Sequence, residues 1–177
     1  MDPTFTESAR KLGMISAVGF VLLCTAYAIT LVAGLLSLQS PQQPIGDPLF
    51  SILEILIILM APLMVAMIAT IHAWAPMESK VFSIVSLVFA SLLAGLTCSV
   101  HFVILTVSRQ VALSELGWMP LFLSFKWPSV AYALDILAWD VFFALSVLFA
   151  APVFSGNRWP QGYACCWLPA GRWPSQG

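Results

Sequence analysis

Four long apolar runs constrain this chain more than any motif does. They cover residues 12–37, 49–73, 81–107 and 128–154. Each exceeds the roughly 20 residues that a helix needs to cross about 30 Å of hydrocarbon. Only helices and closed barrels satisfy their own backbone hydrogen bonds in that medium, and unbroken runs of this length are helical. The predicted fold is therefore an all-α membrane helical bundle of four transmembrane helices, with short loops and an irregular C-terminal tail. Residues 1–154 form the bundle and residues 155–177 the tail. Only 8% of the 177 residues are charged, against roughly 25% in soluble domains, so a water-facing surface is lacking. The net charge of −1 argues against nucleic acid as a partner, because phosphate binding needs a basic face.

The first run follows Arg10 and Lys11 and is far longer than the apolar core of a signal peptide, so it is expected to stay as the first span. Thr4 and Thr6 precede Glu7, which places a helix start there. Three prolines break the first loop, Gln39 to Pro48. The second loop, Trp74 to Lys80, is short enough to make spans two and three an antiparallel hairpin.

The third loop, Ser108 to Trp127, holds Trp118, Phe122, Phe125 and Trp127. Such aromatic residues suit the headgroup level, which predicts a short interfacial helix with Arg109, Glu115 and Lys126 facing water. An aromatic anchor is preferred there over a functional lid. With the N-terminus inside, Arg10, Lys11, Lys80, Arg158 and Arg172 lie on the inner side and Arg109 and Lys126 on the outer. That bias places both termini in the cytoplasm. The expected location is a cell membrane, the bacterial inner membrane.

The four cysteines form no framework. Cys24 and Cys98 lie within spans, where a thiol behaves as a small hydrophobe. Cys165 and Cys166 are adjacent in the tail, and no C-x-x-C or metal-ligand spacing occurs. The tail is rich in Trp, Pro, Gly and Cys and repeats R-W-P at Arg158 and Arg172. It reads as a disordered end that has left an ancestral reading frame, or as a membrane-surface anchor with Cys165 and Cys166 lipidated.

The residues that interrupt the apolar runs are the candidate site: Glu54, His101, Asp135 and Asp140. An ionisable side chain at the bilayer centre costs about 2.5–3.5 kcal/mol on insertion scales, so such residues face the bundle interior, pair or line water. At 1.5 Å per residue, Glu54 lies roughly 7–8 Å below the outer end of span two, His101 roughly 9 Å below that of span three and Asp135 roughly 10 Å into span four. Three helices thus bring an acid, an imidazole and an acid to one level. Asp140 lies deeper, at roughly 18 Å by the same rise. His101 shares a helix stripe with Ala94, Thr97 and Cys98, and Asp135 shares one with Tyr132 and Trp139. Pro62 removes a backbone donor below Glu54. Span one offers Thr25, Tyr27, Thr30 and Ser37.

Three readings compete for this cluster. The preferred one is a structural network that holds the bundle together. The alternative is a proton or ion pathway that hands protons inward through Asp140, as in a small transporter or proton-coupled channel component. A membrane-embedded metal-dependent hydrolase built on Glu54, His101 and Asp135 comes third, because a single histidine is thin for zinc. No catalytic residue, metal ligand or cofactor is assigned from the sequence. His72, beside Trp74, reads as an interfacial anchor. Asn, Gln, Lys and Arg are absent from all four runs, so no pocket for a polar or anionic solute is evident. The expected partners are the lipid bilayer and, because four spans are few to enclose a solute path, a second copy or a partner membrane subunit.

The segments S-V-H-F-V-I-L-T-V-S-R-Q (Ser99 to Gln110) and W-P-S-V-A-Y-A-L-D-I-L-A-W-D (Trp127 to Asp140) resemble stretches of uncharacterised bacterial multi-pass membrane proteins. The resemblance covers about Ile45 to Phe154. It implies an integral membrane protein whose relatives continue into further spans after the fourth, a pattern from which this chain departs near Asn157. It implies no activity and no site residues.

Overall fold

The computed structural model describes residues 6–40, 43–108 and 116–154. Among them, four helices are long and apolar enough to cross a membrane. They are α1 (Glu7–Leu36), α2 (Leu49–Trp74), α3 (Lys80–Thr106, entered through a 3-10 turn at Met77–Ser79) and α5 (Val130–Phe154). A short helix, α4 (Met119–Leu123), lies between the third and fourth spans. No strand occurs among the described residues. The expected all-α fold with four membrane-length helices is what the chain adopts. Arg109, Glu115 and the tail from Ser155, with Cys165 and Cys166, fall outside the described residues.

Helix ends follow local chemistry rather than the edges of the apolar runs. Thr6 caps α1, its hydroxyl oxygen accepting from the Ala9 amide at 3.2 Å, so the helix begins five residues before the apolar run. Glu7 and Lys11 pair one turn apart at 2.8 Å on that exposed first turn. Ser129 caps α5 by accepting from the Tyr132 amide at 3.2 Å while its own hydroxyl donates to the Ser124 carbonyl. At the end of α2, the Lys80 ammonium donates to the His72 carbonyl at 2.7 Å, a cation on the negative end of the helix.

Each span packs mainly on its neighbour in sequence: α1 on α2, α2 on α3 and α3 on α5. The α1–α2 contact depends on close approach. A methyl group built on Gly13 would meet the Thr70 hydroxyl of α2 at 2.8 Å, and at the other end of α1 one on Gly34 would meet Ile45 of the following loop at 2.9 Å, so both positions favour the smallest side chain. The α3–α5 contact is polar as well as apolar. The Ser86 hydroxyl donates to the Ser146 carbonyl at 2.8 Å, and the Ser146 hydroxyl donates back to the Ser86 carbonyl at 3.0 Å. Both serines are buried. Above this pair Phe89 stacks against Phe149 and Phe142, and an apolar layer of Met64, Leu93 and Ala138 joins α2, α3 and α5.

The fourth span is not one uniform α-helix. It is α-helical over Val130–Ile136, π-helical over Leu137–Phe142 and α-helical again over Phe143–Phe154. The wider π turn holds one extra residue relative to the α repeat, so the side chains on either side of it do not keep the 100° spacing that the sequence alone implies.

The reciprocal serine pair gives a direct test of α3–α5 packing. Ser146→Leu forces an added side chain into a filled contact and is expected to lower stability by about 1–3 kcal/mol. Ser146→Ala removes one interhelical donor and is expected to cost about 0.6 kcal/mol. Thermal unfolding of the two variants in detergent measures both, and an equal effect of Leu and Ala contradicts the close contact.

Candidate functional site

The site lies toward the end of the bundle opposite the start of α1. Glu54 sits on the second turn of α2, His101 on the last two turns of α3, and Asp135 on the last α turn of α5 before the π segment. Antiparallel packing at a common rise per residue puts all three at one level, as the depth arithmetic expects.

His101 bridges the two acids. Its Nδ1 lies 2.8 Å from Glu54 Oε2 and its Nε2 lies 3.3 Å from Asp135 Oδ1. Glu54 and His101 are each 4% exposed, whereas the Asp135 side chain retains 23% exposure and the longer bond. The Glu54 arm is thus the dry, tight one and the Asp135 arm the looser one. Phe125, from the segment after α4, stacks on the imidazole with centroids 5.3 Å apart and covers the site from the loop side. The contacts of His101 thus come from α2, from α5 and from the segment after α4.

Proton counting sets a condition on this geometry. A neutral imidazole has one N–H donor and one acceptor nitrogen, and ionised carboxylates only accept. Two simultaneous hydrogen bonds to two acids therefore need one proton beyond the imidazole's own. Whether it resides on the second ring nitrogen or on a carboxyl oxygen, the count is the same. The extra proton is thus a component of the closed clamp, and its removal opens one bond. That bond joins α3 to either α2 or α5.

Asp140 does not join the three. It lies on the π segment and is exposed, with no hydrogen bond or ion pair among the described residues. Of the four candidate residues, Glu54, His101 and Asp135 are in mutual contact, and Asp140 faces outward. An inward relay through Asp140 is not laid out in this conformation, because Ala138 on the same segment is packed with Met64 and Leu93 in the apolar layer. The geometry offers no support to the metal-dependent hydrolase reading. The two carboxylates approach opposite nitrogens of one ring, so the three side chains do not converge on a common point. No group of three or more His, Cys, Asp or Glu side chains among the described residues could hold a metal ion.

Several features were not foreseen from the residue pattern. Of the four loop aromatics, Trp118 and Trp127 are exposed at 51% and 71% and Phe122 packs edge-on to Trp118, as an interfacial anchor requires. Phe125 instead turns inward onto His101. Thr97, one turn from His101, is fully buried with its hydroxyl unpartnered, and the indole N–H of Trp139, one turn from Asp135, is likewise unpartnered. His72 is more than an interfacial anchor, since its Nδ1 contacts the Ser83 hydroxyl at 2.8 Å and ties α2 to α3. Cys24 and Cys98 act as packing groups beside Met60 and the Ile58 carbonyl.

No protein-family model, no curated protein and no solved structure matches this chain, so what the site can do rests on its own chemistry.

The proton count predicts an order of effects. Glu54→Ala leaves a buried ring nitrogen without a partner and is expected to cost about 1–3 kcal/mol, while Asp135→Ala, at the wetter and longer bond, costs less. Glu54→Gln supplies an amide donor, which lets a neutral imidazole accept from Gln and donate to Asp135 without the extra proton. Glu54→Gln is therefore expected to keep more of the wild-type stability than Glu54→Ala. Melting curves of the variants in detergent read this, and equal losses from Gln and Ala would contradict a hydrogen bond from position 54 to the ring.

Proposed function

We propose that this chain is an integral multi-pass protein of the bacterial inner membrane, with both termini in the cytoplasm, in which Glu54, His101 and Asp135 form a proton-containing clamp. The clamp ties α2, α3 and α5 together in the outer half of the bilayer, and its role is architectural. The observation that carries this reading is the buried imidazole of His101, whose two nitrogens are both engaged by acids from the two helices that flank α3. In hydrocarbon each polar group gains from an interhelical partner, and here the three groups satisfy one another under a Phe125 cover. The orientation is supported by the cation bias, with Lys80 and the Arg10–Lys11 pair at one end.

A second reading is favoured by one specific observation. The Asp135 carboxylate is partly exposed and bonded at 3.3 Å, so it is the arm through which the clamp can exchange its proton. As part of a proton-coupled transporter, that arm would open and close during turnover. The packed layer of Met64, Leu93 and Ala138 separates the triad from the end of the bundle where α1 begins, and weighs against a continuous path.

Reconstitution separates the two. Purified wild type, Glu54→Gln and Asp135→Asn are placed in liposomes with an internal pH dye, and a potassium diffusion potential is applied. The architectural reading expects the same proton flux from all three, with any change confined to their thermal midpoints. Flux in wild type that both substitutions abolish, while the fold survives, overturns it in favour of the transporter.

A further inference from the structure

We propose that Thr97 and Trp139 form a buried binding site for one water molecule between α3 and α5, one turn inward from the Glu54–His101–Asp135 clamp. Thr97 is not exposed at all, and its hydroxyl has no hydrogen-bond partner among the described residues. The indole N–H of Trp139 is buried and equally without a partner there. Burying a polar group without a hydrogen bond is costly, and native structures satisfy nearly all such groups with protein or ordered water. On α3 the hydroxyls of Ser91, Ser99 and Thr106 each donate to the carbonyl four residues back at 2.7–2.8 Å. Thr97 makes no such bond, so its hydroxyl is left for a partner beyond its own helix. Thr97 lies nine residues before Thr106, the last of α3, roughly 13–14 Å along the axis, so no loop segment reaches it.

Two cross-helix contacts bracket the site and set the level of each group. Ser86 meets Ser146, and His101 meets Asp135. At a uniform rise, Thr97 lies about three-quarters of the way from Ser86 to His101, which on α5 is level with about residue 138. Trp139 is the next residue, on the π segment, and its side chain packs against the layer of Met64, Leu93 and Ala138. Helical side chains lean toward the N-terminus of their own helix. In this antiparallel pair that carries the Trp139 indole toward the clamp and the Thr97 side chain away from it, so the two lean toward a common level.

The donor set selects the ligand. An indole N–H only donates, so the ligand must accept a hydrogen bond, which a metal cation cannot do. The carboxyl groups of Glu54 and Asp135 one turn outward disfavour an anion. The threonine hydroxyl both donates and accepts. Neighbouring Leu93 and Ala138 are fully packed, which limits the ligand to the size of a water. A buried water requires two to four polar partners, and a water bridge is enthalpically nearly as good as a direct bond. Such a bridge is a further tie between α3 and α5, made through solvent rather than by direct contact.

The test uses the full chain in lipid bilayers, its tryptophan indoles labelled with heavy nitrogen. Water-edited solid-state NMR reads which indole N–H groups receive magnetisation from water. The Trp139 signal is identified by its loss in Trp139→Phe, or by its shift in Phe143→Leu, which removes the ring 6.0 Å from the indole. Wild type is expected to show rapid transfer to Trp139 despite its burial, as to the exposed Trp118 and Trp127. Thr97→Val, which keeps the shape and removes the hydroxyl, is expected to cut the Trp139 transfer several-fold and leave Trp118 and Trp127 unchanged, whereas Thr97→Ser retains it. Melting in detergent is the second readout. Thr97→Val and Trp139→Phe are each expected to lower the midpoint, and the double variant to lower it by less than the two shifts added. A dry, unbonded hydroxyl gives the opposite sign, because Thr97→Val then removes a polar group that had nothing to bond and raises the midpoint. Absence of transfer to Trp139 in wild type overturns the proposal. So does transfer that Thr97→Val leaves intact, which is water reaching the indole without the threonine, and so does a raised midpoint in that variant.

Discussion

The requirement that every polar group in hydrocarbon find a partner organises this bundle. Exposed hydroxyls meet it within their own helix: Thr25 donates to the Val21 carbonyl, Ser91 to Leu87 and Ser99 to Gly95, each one turn back. Those groups impose nothing on neighbouring helices. Buried Ser16 and Thr70 do the same, whereas other groups meet it across helices, as Ser86 does with Ser146, His72 with Ser83 and His101 with Glu54 and Asp135. The division matters because a cross-helix bond fixes rotation and depth, which van der Waals contact between apolar side chains does loosely.

These bonds make α3 the axis of the structure. Near its start, Ser83 faces α2 and Ser86 faces α5; near its end, His101 reaches both. Between the two polar levels the contacts are apolar, through Leu93 and Ala90, neither of which is exposed at all. Two separated polar levels hold a helix against tilting as well as sliding, which one level cannot do. By contrast, α1 meets α2 through the close approach of Gly13 to Thr70 and of Gly19 to Leu63, through Phe20 against the Met64–Leu93 layer and through the weak Cys24–Met60 sulfur pair at 3.4 Å. The α1–α2 attachment thus relies on shape, and the α2–α3–α5 unit on hydrogen bonds.

How far these features were legible in the sequence depends on whether they are set by one helix or by several. The four spans follow from run length, because no other structure of that length and polarity satisfies its backbone in lipid. Their ends shift by a few residues where Thr6 and Ser129 act as caps. The shared depth of Glu54, His101 and Asp135 was legible because the α-helical rise is nearly constant. The divergence of Asp140 from Asp135 was legible in their five-residue spacing, about 140° round a helix, whereas the π segment between them was not, because nothing in L-A-W-D-V-F marks that wider turn. Phe125 was unreadable for a different reason, because a loop side chain is placed by the path of the backbone rather than by periodicity. The serine pair was hidden because a helical serine usually bonds its own preceding turn, as Ser91 does, and only the approach of α5 makes the cross-bond available to Ser86.

Asp135 and Asp140 stand five residues apart on one helix and meet the same constraint in opposite ways. Asp135 is drawn into the bundle by an imidazole that arrives from α3 at the same depth. Asp140, about 140° round from it in regular α geometry, stays on the outer surface of the π segment with Ala138 packed inward. A π turn is a locally unfavourable arrangement with poorer hydrogen-bond geometry, and such turns occur frequently at functional sites. On the inner side of the segment Ala138 completes the apolar layer with Met64 and Leu93, and the carboxyl group two residues on stays out of that layer, so the burial of a carboxyl in the apolar middle of the bundle, which is costly, does not arise.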